Sequence, residues 1–228
     1  MDAHARKAPT WRVLSDLSRA QGQTMAKLNI GGGKGHPKLP GWTIIDLRDT
    51  ADLVLDISRE PLPYADASVD VVFTSHTLEH IQPANLGFVL DEFRRVLKPG
   101  HVTDGRFSGG LLRIAVPDIA LAIRAYAAGD LAFFKKAELT YRDPEAPIGG
   151  LLASWFYSIS PLGNGHVHCF DEAYLAHWLT THGFDRCVRS SYRKSVLEEL
   201  RSDAFDRRPN SSLYMDVWHE GPANGETR

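Results

Sequence analysis

Three glycines and one aspartate are the first residues of this chain whose types and spacing could do chemistry. A short apolar strand, predicted over 27–30, leads into Gly31–Gly33, and a second strand at 43–46 ends in Asp46. Because glycine lacks a Cβ, it lets the backbone adopt a positive φ and approach a ligand closely. An acidic group at the end of the next strand can accept hydrogen bonds from both hydroxyls of a ribose. The pattern predicts a nucleoside-binding site.

The residues that follow the glycines argue against a phosphate chain on that nucleoside. A dinucleotide fingerprint continues Gly-x-Gly-x-x-Gly/Ala directly into a helix, whose N-terminus faces a pyrophosphate. Here the sixth position is His36, and Pro37 and Pro40 would break a helix begun at Gly33. The sequence also lacks the Gly-Lys-Ser/Thr of a P-loop. S-adenosylmethionine (SAM) fits this pattern, whereas an NAD-dependent oxidoreductase is disfavoured.

An ordered series of short segments extends the pattern along most of the chain. The segments include Leu28–Gly33, Gly41–Asp46, Ala51–Asp56, Asp66–Asp70, Ser75–His80, Arg95–Gly100, Leu111–Asp118 and His168–Asp171. In this order they resemble the SAM-dependent methyltransferases of Rossmann-like class I, in particular the type 11 group. The resemblance covers roughly residues 27 to 190, so it implies SAM as cofactor and methyl transfer as the reaction.

The resemblance also implies which residues hold the cofactor. Asp46 would bind the ribose hydroxyls, while Asp56 and Ile57 would contact the adenine through a carboxylate and an apolar face. An alternative for Asp56 is a turn residue. The segment from Ser75 follows the fourth strand, where the methionine part and the transferable methyl would lie. The predicted cofactor-binding set is Asn29, Gly31, Gly32, Gly33, Asp46, Leu47, Asp56, Ile57, Ser75 and His76.

Histidines supply the candidate catalytic groups. Methyl transfer needs alignment of the acceptor and, for a hydroxyl, removal of a proton, which imidazole can accept near neutral pH. The predicted catalytic residues are His76, His166 and His168. A structural role stays open for the last two, and so does a metal site that they form with Asp171. Because Asp171 also fits a helix N-cap, no metal site is predicted.

Three further polar residues have more than one interpretation. Glu79 and His80 lie about one turn beyond His76, so only some of these side chains can face the pocket. A structural role is favoured for His80. Asp118 follows the fifth strand, where it orients a substrate or caps the next helix.

Alternating strands and helices must position these residues. The sequence predicts a Rossmann-like α/β methyltransferase fold, in which a seven-stranded, mostly parallel sheet carries helices on both faces. In such a sheet, ligands bind at the carboxyl ends of the strands. Strands are predicted at 27–30, 43–46, 52–56, 69–74, 110–116, 185–191 and 211–218, and helices at 10–21, 83–97, 119–128 and 171–182. The resemblance implies that the last strand is antiparallel.

Two regions depart from this alternation within an otherwise single domain. An N-terminal helical segment over 1–25 is expected to precede a methyltransferase domain over 26–228. Residues 130–168 are rich in aromatic residues, prolines and glycines without a clear period, and are interpreted as a cap over the cofactor. Residues 101–109 are inserted where the family passes directly into the fifth strand. They are predicted to form a surface loop or a subunit contact.

The amino-acid composition limits the classes of partner that this chain is expected to bind. A formal net charge of −2, with both signs interspersed, provides no phosphate-tracking surface, so no nucleic acid is expected. Two cysteines are too few for a disulfide scaffold, and no apolar run is long enough to cross a bilayer, so a cytoplasmic protein is expected. The predicted acceptor is a sugar, glycan precursor or secondary metabolite, methylated at oxygen or nitrogen, and a homodimer is a further expectation. The alternative function is a non-catalytic scaffold with the same fold.

Overall fold

The strands form a mostly parallel sheet with an antiparallel edge. The computed structural model describes residues 25–33, 37–136, 146–157 and 165–221. Their strands are β1 (Lys27–Ile30), β2 (Trp42–Asp46), β3 (Leu53–Val54), β4 (Val71–Ser75), β5 (Gly100–Thr103), β6 (Arg106–Gly109), β7 (Leu111–Pro117), β8 (Arg186–Ser190) and β9 (Ser212–Trp218). The main sheet has seven strands in the order β3-β2-β1-β4-β7-β9-β8. Only β9 runs antiparallel to its neighbours β7 and β8, so the predicted fold class is confirmed.

Hydrophobic strands and one amphipathic helix form the main core. Every residue of β7 and β9 is buried, as expected for strands covered on both faces. Helix α1 (Pro83–Val96) buries one face, spaced every three or four residues: Leu86, Val89, Leu90, Phe93 and Val96. This face packs in the same cluster as Leu28, Ile30 and Val72 from the sheet.

Four further α-helices follow in the described part of the chain: α2 (Ile119–Ala127), α3 (Leu131–Lys136), α4 (Ile148–Tyr157) and α5 (Glu172–Thr181). Short 3-10 helices lie at Leu78–His80 and Glu198–Leu200. The side chain of Asp118 accepts a hydrogen bond from Ala120 N at 3.0 Å, and that of Asp171 accepts one from Tyr174 N at 2.8 Å. Both aspartates therefore cap helices. The predicted helix at 10–21 lies outside the described residues. None of the helices seen is long and apolar enough to span a membrane.

The region predicted as a cap contains a small core of its own. Helices α2, α3 and α4 bury Ala122, Phe134, Leu151 and Trp155 against one another. Short helices therefore form within the described parts of 130–168, although the sequence there has no clear hydrophobic period. Because α4 also carries Trp155, this small core fixes one wall of the cavity described below.

The inserted segment is a β-hairpin rather than an irregular loop. Strands β5 and β6 pair antiparallel across Asp104-Gly105, both of which have positive φ, +51° and +73°. Two positive φ values define the two-residue turn that best matches strand twist, and Asp-Gly is its common sequence. The hairpin joins α1 to the start of β7, so it lies at the edge of the sheet opposite the carboxyl ends of the parallel strands.

Candidate functional site

A cavity of about 470 Å³ lies at the carboxyl ends of the parallel strands, a volume typical of small-molecule sites. Eight of the predicted site residues line it: Gly31, Gly33, Asp46, Leu47, Asp56, Ile57, His76 and His166. The structure thus brings residues from four strand ends and one distant segment to a single site.

The loop after β1 follows a path that requires glycine. Gly31 has a φ of +74°, and a Cβ there would lie 2.0 Å from Thr77 Oγ1. Such a contact is far inside van der Waals distance, so the loop packs directly on the segment after β4. Gly33 also has a positive φ, +49°. Gly32 is the buried residue of this loop, and an added Cβ there would lie 3.0 Å from the side chain of Asn29.

Asp46 ties this loop to the end of β2. Its Oδ2 accepts a hydrogen bond from Gly33 N at 2.8 Å, and its Oδ1 accepts one from Arg48 N at 3.0 Å. A carboxylate has about four lone-pair sites, so the described residues leave each oxygen one acceptor position. Arg48 Nε lies 4.0 Å from Oδ1, which is beyond hydrogen-bond distance. Two such acceptor positions on one carboxylate at a cavity wall match the two hydroxyls of a ribose.

Asp56 serves both as a turn residue and as part of the cavity wall. Its Oδ1 accepts hydrogen bonds from Ser58 N at 3.1 Å and Ser58 Oγ at 2.6 Å, which closes the turn after β3. Ile57 and Leu47 lie beside it, and Leu47 is 52% exposed although apolar. An aromatic base would cover this apolar surface. The donor and acceptor groups of this part of the cavity therefore fit an adenosine.

His76 lines the cavity directly after β4, and contacts engage both of its ring nitrogens. Its Nε2 lies 2.8 Å from Ser212 Oγ, its Nδ1 lies 3.2 Å from Glu79 Oε1, and its backbone has a φ of +53°. Positive φ is uncommon outside glycine, and here the surrounding contacts impose it. Burial lowers the pKa of His76, against the opposing effect of Glu79. With both ring nitrogens engaged, His76 is suited to positioning Glu79.

Glu79 is a buried carboxylate with few partners. It is 1% exposed, and neither carboxylate oxygen has a well-aligned hydrogen bond from the described residues. Burial alone would raise its pKa, but the contact with His76 and the neighbouring rings of His80 and His166 hold that pKa below its ordinary value.

Two imidazoles face this carboxylate with the same orientation of their ring nitrogens. His80 Nδ1 lies 3.1 Å from Gly165 O, and His166 Nδ1 lies 2.7 Å from Trp155 O. A ring nitrogen must be protonated to bond a carbonyl, so in each neutral imidazole Nε2 carries the lone pair. Burial lowers the pKa of His166, which favours that neutral form. We call Glu79, His80 and His166 the cavity triad.

Four predicted residues do not line the cavity: Asn29, Gly32, Ser75 and His168. His168 is buried instead among aromatic rings, with its centroid 5.1 Å from that of Phe170, 6.0 Å from Tyr174 and 5.9 Å from Trp178. Asp171 caps α5, so the alternative set of His166, His168 and Asp171 is not assembled.

Sequence reasoning missed several lining residues, including Thr77, Trp155 and Arg208. Trp155 was missed because its segment of the sequence has no recognisable periodicity. In the structure its buried Nε1 has no hydrogen-bond partner among the described residues. Arg208 follows a region without any predicted element. The prediction did place Glu79 and His80 near the pocket, but no spacing rule connects either of them with His166.

Comparison with known proteins gives a family match and several structures of similar fold. Residues 46–103 match a family model described as a methyltransferase domain. Similar solved structures include a Burkholderia thailandensis 1,6-didemethyltoxoflavin-N1-methyltransferase with bound 1,6-didemethyltoxoflavin and S-adenosylhomocysteine (16% identity, TM-score 0.46, covering 92% of this chain and 77% of that chain). Another is a SAM-dependent methyltransferase from Archaeoglobus fulgidus (13% identity, TM-score 0.48, covering 92% and 94%).

The family match over residues 46–103 and the mostly parallel seven-stranded sheet support the resemblance to the Rossmann-like class I SAM-dependent methyltransferases that the sequence motifs predict. SAM is the cofactor that this resemblance implies. The residues at the cavity fit that group, because the described residues leave Asp46 acceptor positions for a diol, and Leu47 and Ile57 provide apolar surface for a base.

Proposed function

We propose that this chain transfers the methyl group of SAM to an oxygen or nitrogen of a small molecule. The observation that carries the proposal is that two groups of residues line one cavity. Gly31, Gly33 and Asp46, which follow or end β1 and β2, have groups that match an adenosine, whereas His76 and the cavity triad come from the segment after β4 and from residue 166. This arrangement supports a reaction between a cofactor bound at the first group and an acceptor bound near the second.

When bound, SAM would supply a methyl group on a positively charged sulfur; the acceptor atom would bond to the methyl carbon as the carbon–sulfur bond breaks, which would leave a neutral thioether. A hydroxyl acceptor must also lose its proton. The protein therefore has to align the acceptor, exclude water and receive or release one proton.

Of the three predicted catalytic histidines, His166 has the arrangement that suits this work. His76 uses both ring nitrogens in contacts with Ser212 and Glu79, and His168 lies among aromatic rings away from the cavity. His166 lines the cavity and has an Nε2 lone pair, which can receive a proton or a metal ion. We assign His76 a positioning role.

The size and lining of the cavity support a small acceptor. Its volume of about 470 Å³ must accommodate both the cofactor and the acceptor. Trp155 adds a buried N–H donor and an aromatic face, which together suit a small molecule that is polar at one end. A sugar, a glycan precursor or a secondary metabolite fits this description.

Calorimetric titration of the purified chain with SAM, S-adenosylhomocysteine and NAD tests the cofactor site. We expect SAM and S-adenosylhomocysteine to bind and NAD not to bind. The variant Asp46→Ala loses the acceptor of both ribose hydroxyls and the anchor of Gly33. Since hydrogen bonds to a charged group contribute about 1.5–3 kcal/mol each, SAM affinity should fall by roughly 100-fold or more.

The matched control is Asp49→Ala, because Asp49 follows the same strand but is exposed and does not line the cavity. Its SAM affinity should equal that of the unmodified chain, and the thermal melting of both variants should confirm that they fold. Unchanged affinity in Asp46→Ala would contradict the assigned cofactor site.

A further inference from the structure

We propose that the cavity triad, Glu79, His80 and His166, binds a divalent transition-metal ion, with Zn²⁺ as the first candidate. One ligand atom from each of the three residues lies within 4.8 Å of the other two. Two imidazoles and one carboxylate form a recognised set for Zn²⁺ and for Fe²⁺, with open positions for a further ligand. This inference departs from the expectation, drawn from sequence, that the chain has no metal site.

The hydrogen bonds that His80 and His166 make through Nδ1 are of the kind that metal-binding histidines make. A ligating histidine usually donates its other ring N–H to a carboxylate or a carbonyl, which fixes the tautomer and the ring. His80 does so to Gly165 O and His166 does so to Trp155 O, so both leave Nε2 as the ligand atom. The two ring centroids lie 4.9 Å apart.

The carboxylate provides the independent observation. Glu79 is 1% exposed, yet the described residues give neither oxygen a well-aligned hydrogen bond. A buried carboxylate without hydrogen-bond donors is destabilising unless a nearby cation compensates it. The contact of Oε1 with His76 Nδ1 compensates part of that destabilisation, and a divalent ion would compensate the rest.

The backbone holds the two segments of the triad together without an ion. Val167 N and His168 N both donate to Glu79 O, at 2.8 and 3.1 Å. The segment that carries His166 is thus fixed on the segment that carries Glu79 and His80. Donor atoms that share a tetrahedral Zn²⁺ are about 3.4 Å apart, so the side chains must close in by on the order of 1 Å.

The position of the triad gives the ion a role that rests on the proposed function. The three residues line the same cavity as Gly31 and Asp46. An ion with an open coordination position can bind the oxygen of a hydroxyl acceptor and lower its pKa, and the proton then leaves to solvent. The acceptor oxygen would thereby become the anion that attacks the methyl carbon.

Metal binding is tested on the full chain after treatment with a chelator and removal of that chelator. Titration with ZnCl₂ in the absence of SAM should give one site per chain. The variants His80→Asn and His166→Asn keep an amide N–H near the Nδ1 position but lose Nε2, and Glu79→Gln keeps the shape but loses the charge. Each should weaken Zn²⁺ binding by at least about tenfold.

Titration with CoCl₂ gives a second readout, because the visible absorption of bound Co²⁺ reports its ligands. The unmodified chain should develop this absorption, and the three variants should lose it. The control is His177→Ala, an exposed histidine on α5, which should leave both metals bound as before. Thermal melting of the metal-free proteins checks that each variant is folded.

The outcomes separate this inference from the proposed function. A chain that binds SAM but neither metal overturns the metal site and leaves the proposed function intact. Zn²⁺ binding that the triad variants do not weaken, or that His177→Ala weakens equally, also overturns it. A chain that binds Zn²⁺ at the triad but never binds SAM supports the metal site and contradicts the proposed function.

Discussion

Two groups of buried charges in this molecule differ in how completely their hydrogen bonds are satisfied. The first, which we call the Arg113 network, joins Arg113 on β7 to Asp206 and to Asp216 on β9, and all three are at most 1% exposed. The second is the cavity triad. In the Arg113 network, Asp206 also accepts from Arg193 N at 2.7 Å and Asp216 accepts from Val196 N at 2.6 Å. In the triad, the buried carboxylate lacks such donors among the described residues.

The difference separates a structural role from a binding role. Arg113 also donates to Ser191 O at 3.1 Å, and its guanidinium lies 5.0 Å from the ring centre of Tyr214. Each charge of this network therefore has its partners inside the protein, and together they join β7 and β9 to the loops around Ser191 and Asp206. For Glu79 and the Nε2 atoms of His80 and His166, the proposed partner is a divalent metal ion from solution.

Replacing Arg113 with Met should give the largest effect on stability. The change leaves two buried carboxylates without their cation, and breaking a buried pair costs about 3–5 kcal/mol. Urea unfolding should show this loss. The control Arg124→Met removes an exposed arginine on α2 and should change stability by less than about 0.5 kcal/mol. If Arg113→Met costs no more than the control, the structural interpretation of the network is wrong.

Gly31→Ala should lower the free energy of unfolding by an intermediate amount and should also weaken cofactor binding. The added Cβ meets Thr77 Oγ1 at 2.0 Å and also requires a positive φ, so we expect a loss of about 2–3 kcal/mol and much weaker SAM binding. Gly41→Ala is the matched control, since Gly41 has a φ of +79° but nothing within 4 Å of the added atom. It isolates the backbone cost of about 1–2 kcal/mol. Equal losses in the two variants would refute the close contact with Thr77.

The smallest expected effect is a loss of stability on mild acidification of the metal-free protein. Burial holds the pKa values of His76, His166, His168 and His219 below 6.5. The unfolded chain therefore binds more protons than the folded chain as the pH falls through 6.5, and folding stability declines with it. Urea midpoints at pH 7.5 and pH 5.5, measured with a chelator, should show this decline.

The control for that measurement is His166→Asn, which removes one of the four groups. Its decline between the two pH values should be smaller than that of the unmodified chain. An unmodified chain with identical midpoints at both pH values would show that burial does not keep these imidazoles neutral.

Local patterns in the sequence were sufficient for most of the elements and for several residues of the cavity wall. Alternating apolar segments predict the strands, and Asp46 stands out because an acid that ends a strand beside a glycine loop is typical of ribose binding. Asp171 was correctly predicted as a helix cap. The hairpin at 101–109 was missed although Asp104-Gly105 carries a local turn signal.

Such local patterns do not predict contacts between segments that are distant in the sequence. The triad depends on main-chain hydrogen bonds that join residues 79 and 167, and the Arg113 network joins residues about 100 positions apart. His166 and His168 were treated as equivalent candidates. They diverge because the segment between them turns one ring to the cavity and the other to the aromatic cluster of Phe170 and Trp178.

The hairpin of β5 and β6 has a practical consequence for experiments on this protein. Its turn at Asp104-Gly105 is exposed and lies at the opposite edge of the sheet from the cavity, and its two strands pair with each other. Exposed turns tolerate insertion well, because few tertiary contacts cross them. A short tag inserted there would anchor the protein to a sensor surface with its cavity facing the solution, so that cofactor, metal and acceptor could be delivered in any order to one immobilised sample.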